Sequence, residues 1–326
     1  MSEPTFDAID GTRPYNSGYR GVNRHYGQRK LALDEIDFLT RVVKPNTLTY
    51  ILYVGASPGI KTAYVASLFP RVRMLCVDPC DFAIKPHPGV TITTVDSGLC
   101  NLTADVITAH NITCLQAYMT TELITRIKPL VPQWFLISDA RTACYNDEPQ
   151  DSDICYNFAQ QYNWIRALEP QLSILKFRHP FHDQDPKEFR RETNSILMQS
   201  EFRPAREAGL DIIADYHTKT LTFFDGELTL QPWSPNLSAE VRLLTSGKTL
   251  RNWGDHLTYE GKMFYYNTTI RRGVEFQTEP IPHMCKCADC ALEQSIWRRY
   301  LVSTPGTTMT ECVEGLSNAI DRRMHA

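Results

Sequence analysis

The stretch TYILYVGASPGIKTAYV, residues 49–65, decides how the chain folds. Its first six residues are β-branched, aromatic or leucine and carry no charge, which suits a strand covered on both faces. Gly55-Ala56-Ser57-Pro58-Gly59 breaks that run, and apolar residues resume at helical spacing from Ile60 to Leu68. The segment therefore reads as strand, glycine turn and helix. Such a turn is either a tight βα connection or a place where backbone N–H groups at a helix start meet a ligand. A phosphate loop fits poorly: in GASPGIKT, Ile60 stands where the second glycine belongs.

Outward from this unit the same alternation repeats. VRMLCV (72–77) ends at Asp78, VTITTV (90–95) at Asp96, WFLIS (134–138) at Asp139, and QLSILKF spans 171–177. Helical spacing predicts helices over about 30–43, 60–68, 116–127 and 153–168. Continuous apolar strands separated by helices imply an α/β, doubly wound, Rossmann-like fold with a mostly parallel sheet. Beyond residue 210, KTLTFFDGELTLQPW, AEVRLL and KMFYYN read as strands that complete or flank the sheet, with Asp225-Gly226 as a hairpin turn. The tail returns to helical spacing, with Leu292, Ile296, Trp297 and Tyr300 on one side. The expected division is a basic arm over 1–29, a main domain over 30–272 and a helical extension over 273–326.

Composition narrows the function. No apolar run reaches the roughly 18 residues of a membrane span, and the N-terminus has no secretory layout. Ten cysteines in 326 residues are too dilute for a disulfide scaffold, so a cytoplasmic setting with reduced thiols is expected. A net charge of -3 excludes nucleic-acid binding by bulk charge and leaves local patches. One is Gly11–Lys30, which carries Arg13, Arg20, Arg24, Arg29 and Lys30 without an acid. Another is KEFRR (187–191) with Arg203 and Arg206.

Acids end three of the strands, where open α/β sheets bind ligands. Asp78 follows Gly59 by about 20 residues, the distance at which an acid meets the ribose of an adenosine-bearing cofactor; each such Asp is equally suited to capping a helix. Lys176 in QLSILKF and Glu240 in SAEVRLL are charges among apolar neighbours, and with a strand-end Asp they could activate a hydroxyl. His283, Cys285, Cys287 and Cys290 could wrap a zinc ion, though C-x-C followed by C-x-x-C departs from common spacings; reduced thiols packed at a helix start are the alternative.

The ordered segments YGQRKLALDE, YILYVGASPGIKTAYV, MLCVDP, FLISDAR, ILKFRHPFHDQ, LQPWSPNLSAEVRLL and YEGKMFYYN, from Tyr26 to Arg272, carry a resemblance. The chain resembles the poxvirus-type cap-specific mRNA 2′-O-methyltransferases, which also stimulate poly(A) polymerase, and more broadly the FtsJ-type RNA ribose methyltransferases. The resemblance implies a catalytic tetrad of Lys30, Asp139, Lys176 and Glu240, with Lys176 as general base or orienting group. It implies S-adenosylmethionine bound by Gln28, Gly55, Ser57, Pro58, Gly59, Asp78, Val95 and Asp139. A cap site would comprise Phe181, Asp183 and Glu260; the family's N-terminal stacking aromatic has no aligned counterpart here, which leaves Tyr15 or Tyr19 as candidates for the second aromatic. Cys80 and Leu237 replace an Arg and a Tyr of that family. Partners implied are capped mRNA and a poly(A) polymerase catalytic subunit, with packaging in the virion if the source is a virus. Two other readings stay open: methylation of another RNA, and a processivity subunit in which catalysis is secondary.

Overall fold

Strand β1 (Thr49–Val54) lies inside the main sheet of a computed structural model that describes residues 3–20, 26–96, 98, 101–142, 150–181, 185, 187–189, 191–192 and 220–320. The other strands are β2 (Val72–Asp78), β3 (Ile92–Val95), β4 (Ile112–Gln116), β5 (Trp134–Ser138), β6 (Ser173–Phe177), β7 (Thr220–Phe224), β8 (Glu227–Thr229), β9 (Val241–Thr245) and β10 (Leu250–Asp255). Eight of them form one sheet in the order β3-β4-β2-β1-β5-β6-β9-β8. From β3 to β6 all neighbours are parallel; β9 runs antiparallel to β6, and β8 antiparallel to β9. Strand order reverses between β1 and β5, where the Asp139 amide donates to the Val54 carbonyl at 2.9 Å. In a doubly wound sheet that reversal opens a crevice at the strands' carboxyl ends.

Helices cover both faces. On one side lie α3 (Ala104–Ala109), α4 (Thr121–Ile127) and α5 (Asp151–Leu168), whose Ile107, Leu123 and Phe158 pack with Leu52, Leu75 and Leu136 of the sheet. On the other lie α1 (Gly27–Val42), α2 (Thr62–Leu68), α7 (Ala288–Val302) and α8 (Met309–Ala319). Their Leu33, Val65, Trp297 and Leu316 pack with Ile51, Met74, Phe135 and Ile137. Alternate residues of one strand thus enter two different cores, as a sheet buried on both faces requires. No helix among the described residues is long and apolar enough to cross a membrane.

The structure corrects several sequence expectations. Strand β4 and the short α3 lie where no element was expected, and the helix expected from 116 begins at Thr121, where the Thr120 side chain accepts from the Leu123 amide. KMFYYN is not a strand. Its residues belong to α6 (His256–Tyr265) and the π turn Tyr266–Ile270, started by Asp255 accepting from the Thr258 amide, with Tyr259, Met263 and Tyr266 buried at helical spacing. Asp225-Gly226 does turn the chain, but β7 and β8 do not pair. β7 joins β10 in a separate two-stranded sheet and β8 joins β9. A Cβ at Gly226 would stand 2.1 Å from the Leu244 carbonyl oxygen, so that crossing admits only glycine.

Candidate active site

Chain direction gathers the four charged residues at one end of the sheet. Asp139 directly follows β5, Lys176 is near the carboxyl end of β6, and Glu240 precedes β9, which starts opposite Phe177 because it runs antiparallel. Lys30, in the first turn of α1, reaches the same point. Its Nζ donates to Glu240 Oε1 at 2.9 Å. Lys176 Nζ donates to Asp139 Oδ1 at 3.1 Å and lies 3.5 Å from Glu240 Oε2. The four side chains are between 10% and 15% exposed, so the cluster is sheltered yet open to a ligand.

Three further charges belong to this cluster and were not anticipated. Arg242 donates to Asp139 at 2.7 Å and to Asp34 at 3.0 Å, and Arg141 donates to Glu240 Oε2 at 2.9 Å. Spacing carried the signal: Asp34 lies four residues after Lys30 on one helix face, and Arg242 lies two after Glu240 on one strand face. Burial alone would raise the carboxyls. Instead Lys176, Lys30, Arg242 and Arg141 hold Glu240 well below the ordinary carboxylate range, and Lys176 and Arg242 likewise depress Asp139. At Asp34 burial wins over Arg242 and Lys30 and pushes the carboxyl up to about 6.

Buttressing elements fix the cluster from behind. Arg29, next to Lys30, is fully buried and gives its guanidinium to Glu293 of α7, with Nε at 2.8 Å. Glu293 also accepts from the Trp233 indole at 2.7 Å. Tyr259 OH donates to the Ala239 carbonyl at 2.5 Å and Asn267 to that of Ser238 at 2.9 Å, which sets the approach of Glu240.

The glycine turn abuts this cluster. A Cβ at Gly55 (φ +78°) would stand 2.5 Å from the Ala140 nitrogen, and one at Gly59 (φ +72°) 2.7 Å from Ile84. The amide of Ser57, which precedes Pro58, donates to Asp78 at 3.1 Å, and that of Cys80 donates at 2.8 Å. Gln28 Oε1 is buried and meets no donor among the described residues. Val95 is buried in the core beneath the end of β3. Lys61 is 2% exposed and bound to Glu35 at 2.8 Å, so the lysine of the apparent phosphate-loop motif is withdrawn from any ligand.

Across the cluster, Phe181 and Tyr15 face each other with centroids 6.2 Å apart and planes at 27°. Arg178 stands over the Phe181 ring at 4.2 Å. Tyr15 also meets Phe264 of α6 edge-on, and Glu260 lies one turn before Phe264 on that helix. Tyr19 contacts Phe264 and not Phe181. Asp183 lies outside the described residues, as do Arg24, Arg203 and Arg206. Arg29, expected to add to the exposed basic arm, is instead a buried partner of Glu293, because an apolar environment tolerates a guanidinium only when it is paired.

The sulfur atoms of Cys285, Cys287 and Cys290 lie within 4.8 Å of one another, and the exposed His283 stays outside that group.

The cap-specific mRNA (nucleoside-2′-O-)-methyltransferases of Myxoma virus, strains Lausanne and Uriarra, are each 28% identical to the chain over 289 residues, covering 82% of it and 70% of the viral protein. The enzyme of the same name from Fowlpox virus, strain NVSL, is 27% identical over 281 residues, covering 82% and 75%. Residues 2–225 match the family described as Poly A polymerase regulatory subunit, and the chain belongs to that family.

Proposed function

We propose that the protein transfers a methyl group from S-adenosylmethionine to the ribose 2′-oxygen of the first transcribed nucleotide of 7-methylguanosine-capped mRNA. The observation that carries this reading is the unbroken contact from Lys30 through Glu240 and Lys176 to Asp139, beside the reversal of strand order. The turn suits the cofactor. Gln28 Oε1 needs a donor, Gly55 and Gly59 let the turn take positive φ in close contact with Ala140 and Ile84, and the Asp78 carboxylate keeps acceptor capacity beyond its two amide bonds. Bound there, S-adenosylmethionine supplies a sulfonium methyl group open to in-line attack by oxygen.

Methyl transfer by displacement needs alignment and the loss of the hydroxyl proton. Lys176, after its ammonium has released a proton to solvent, is the group that meets the 2′-hydroxyl and accepts its proton; Asp139 and Glu240 steady the ammonium so re-formed, and Lys30 fixes Glu240. For the cap, Tyr15 and Phe181 enclose the cationic methylguanine. Stacking on both faces needs rings about 7 Å apart, close to the 6.2 Å separation present without a base. Glu260 and Asp183 accept from the Watson-Crick edge.

Matched capped and uncapped RNAs, digested to nucleosides after reaction and analysed by mass spectrometry, test this. The expected product is a 2′-O-methyl group on the first nucleotide of capped RNA. Equal methylation of both RNAs, or none of either, would sink the proposal. Family membership also supports a second role, as a processivity partner of a poly(A) polymerase, read as longer tails when the chain is added to such a polymerase.

A further inference from the structure

The thiol cluster before α7 plays no part in methyl transfer, and its geometry suits a metal. A free thiol is ordinarily buried as a small hydrophobe. Cys285 is exposed and Cys287 only half-buried, yet their sulfurs converge on the fully buried Cys290. Ligands about 2.3 Å from a zinc ion stand about 3.8 Å apart along a tetrahedral edge, and Cys285 Sγ lies 3.7 Å from Cys290 Sγ. The Cys285 amide donates to Cys290 Sγ at 3.3 Å, a contact that steadies a sulfur carrying negative charge. A cavity of about 300 Å³ reaches Cys285 and Cys287 from outside and is also lined by Arg271 and Lys286, each paired with an acid of the same lining, Asp289 and Glu275, and by Arg272. It gives an ion a way in.

We propose that Cys285, Cys287 and Cys290 hold one zinc ion as thiolates, with the fourth position on the solvent side. Three sulfur–zinc bonds form as three thiol protons pass to solvent, with no change of oxidation state. The ion ties the loop to the first turn of α7. Asp289, in that turn, accepts from Arg271 at 2.9 Å and from the Trp233 amide at 3.0 Å, and Glu293 one turn on holds Arg29 beside Lys30. Zinc would thus stiffen the support behind the catalytic lysine while lying apart from the reacting atoms.

Elemental analysis of the full chain, purified under reducing and metal-free conditions after expression with zinc, is the test. About one zinc per chain is expected, as in a structural thiolate site. It should be lost in Cys285→Ser and Cys287→Ser, whose exposed or half-buried positions spare the core, and retained in Cys80→Ser. Should those variants fail to fold, cobalt exchanged into the wild-type chain reads the site directly, through thiolate-to-cobalt charge transfer and tetrahedral visible bands. A wild-type chain that takes up neither zinc nor cobalt, a metal kept by Cys285→Ser and Cys287→Ser, or a Cys285–Cys290 disulfide in freshly isolated protein would overturn the proposal.

Discussion

Arg242 and Lys176 converge on one oxygen: Asp139 Oδ1 accepts from Arg242 at 2.7 Å and from Lys176 at 3.1 Å. The two residues are Cα partners across β6 and β9, so the strand register itself brings the cations together. Only the acids keep them there. Arg242 is 3% exposed and also binds Asp34, which makes it the hinge between the charged cluster and the core of α1.

Arg242→Leu should therefore destabilise the fold. Removing one partner of a buried ion pair costs about 3–5 kcal/mol because the remaining charges stay buried without compensation. Asp139 and Asp34 would both lose their closest cation. Urea unfolding of wild type and variant measures the loss. An unchanged midpoint would show that the arginine is dispensable to the fold.

Lys176→Met keeps much of the side chain's volume and removes the amine. If Lys176 takes the hydroxyl proton, single-turnover methylation should fall by about 10²–10⁴-fold, while cofactor affinity changes little. Glu240→Gln should fall too, because it breaks the link between Lys30 and Lys176. A Lys176→Met enzyme with near-normal rate would leave orientation by the remaining groups as the whole of catalysis.

How much of this was legible in the sequence depended on range. Buried parallel strands such as β1 and β5 announce themselves as charge-free apolar runs, and the strand-end acids follow from them. ITCLQ carries no aromatic and two polar residues, so β4 escaped notice although Ile112 and Leu115 are fully buried. KMFYYN looked like a strand because aromatics favour both states; the Asp255 cap and the burial spacing of Tyr259, Met263 and Tyr266 decided for helix. The tetrad was found through resemblance. Arg242 and Arg141 were not, since an Arg near an acid in sequence is ordinarily a surface pair, and what makes these two different is burial set by long-range register.

Asp34 gives a pH signature of known sign. Its carboxyl is pushed by burial to about 6, above the range it has in an unfolded chain. Between about pH 4 and pH 6 the native protein therefore holds the proton more tightly than the unfolded one, so this group's contribution to stability declines as pH rises through that window. Asp34→Asn removes the dependence. Melting temperatures from pH 4 to pH 7 should show the variant gaining on wild type as pH rises, and parallel curves would mean that Arg242 keeps Asp34 ionised throughout.

The facing pair Tyr15 and Phe181 should separate cap binding from chemistry. A base stacked on an aromatic side chain contributes about 1–3 kcal/mol, so Tyr15→Ala and Phe181→Ala should each raise KM for capped RNA by roughly tenfold while leaving kcat almost unchanged. Tyr15 is 43% exposed, so its removal leaves the core intact. Tyr19→Ala should be close to neutral, because Tyr19 contacts Phe264 and not Phe181. Steady-state kinetics on capped RNA, with equilibrium binding of a methylguanosine cap analogue as a second readout, distinguishes the three. A Tyr19→Ala effect as large as that of Tyr15→Ala would mean that the arm as a whole, and not one ring, closes the cap site.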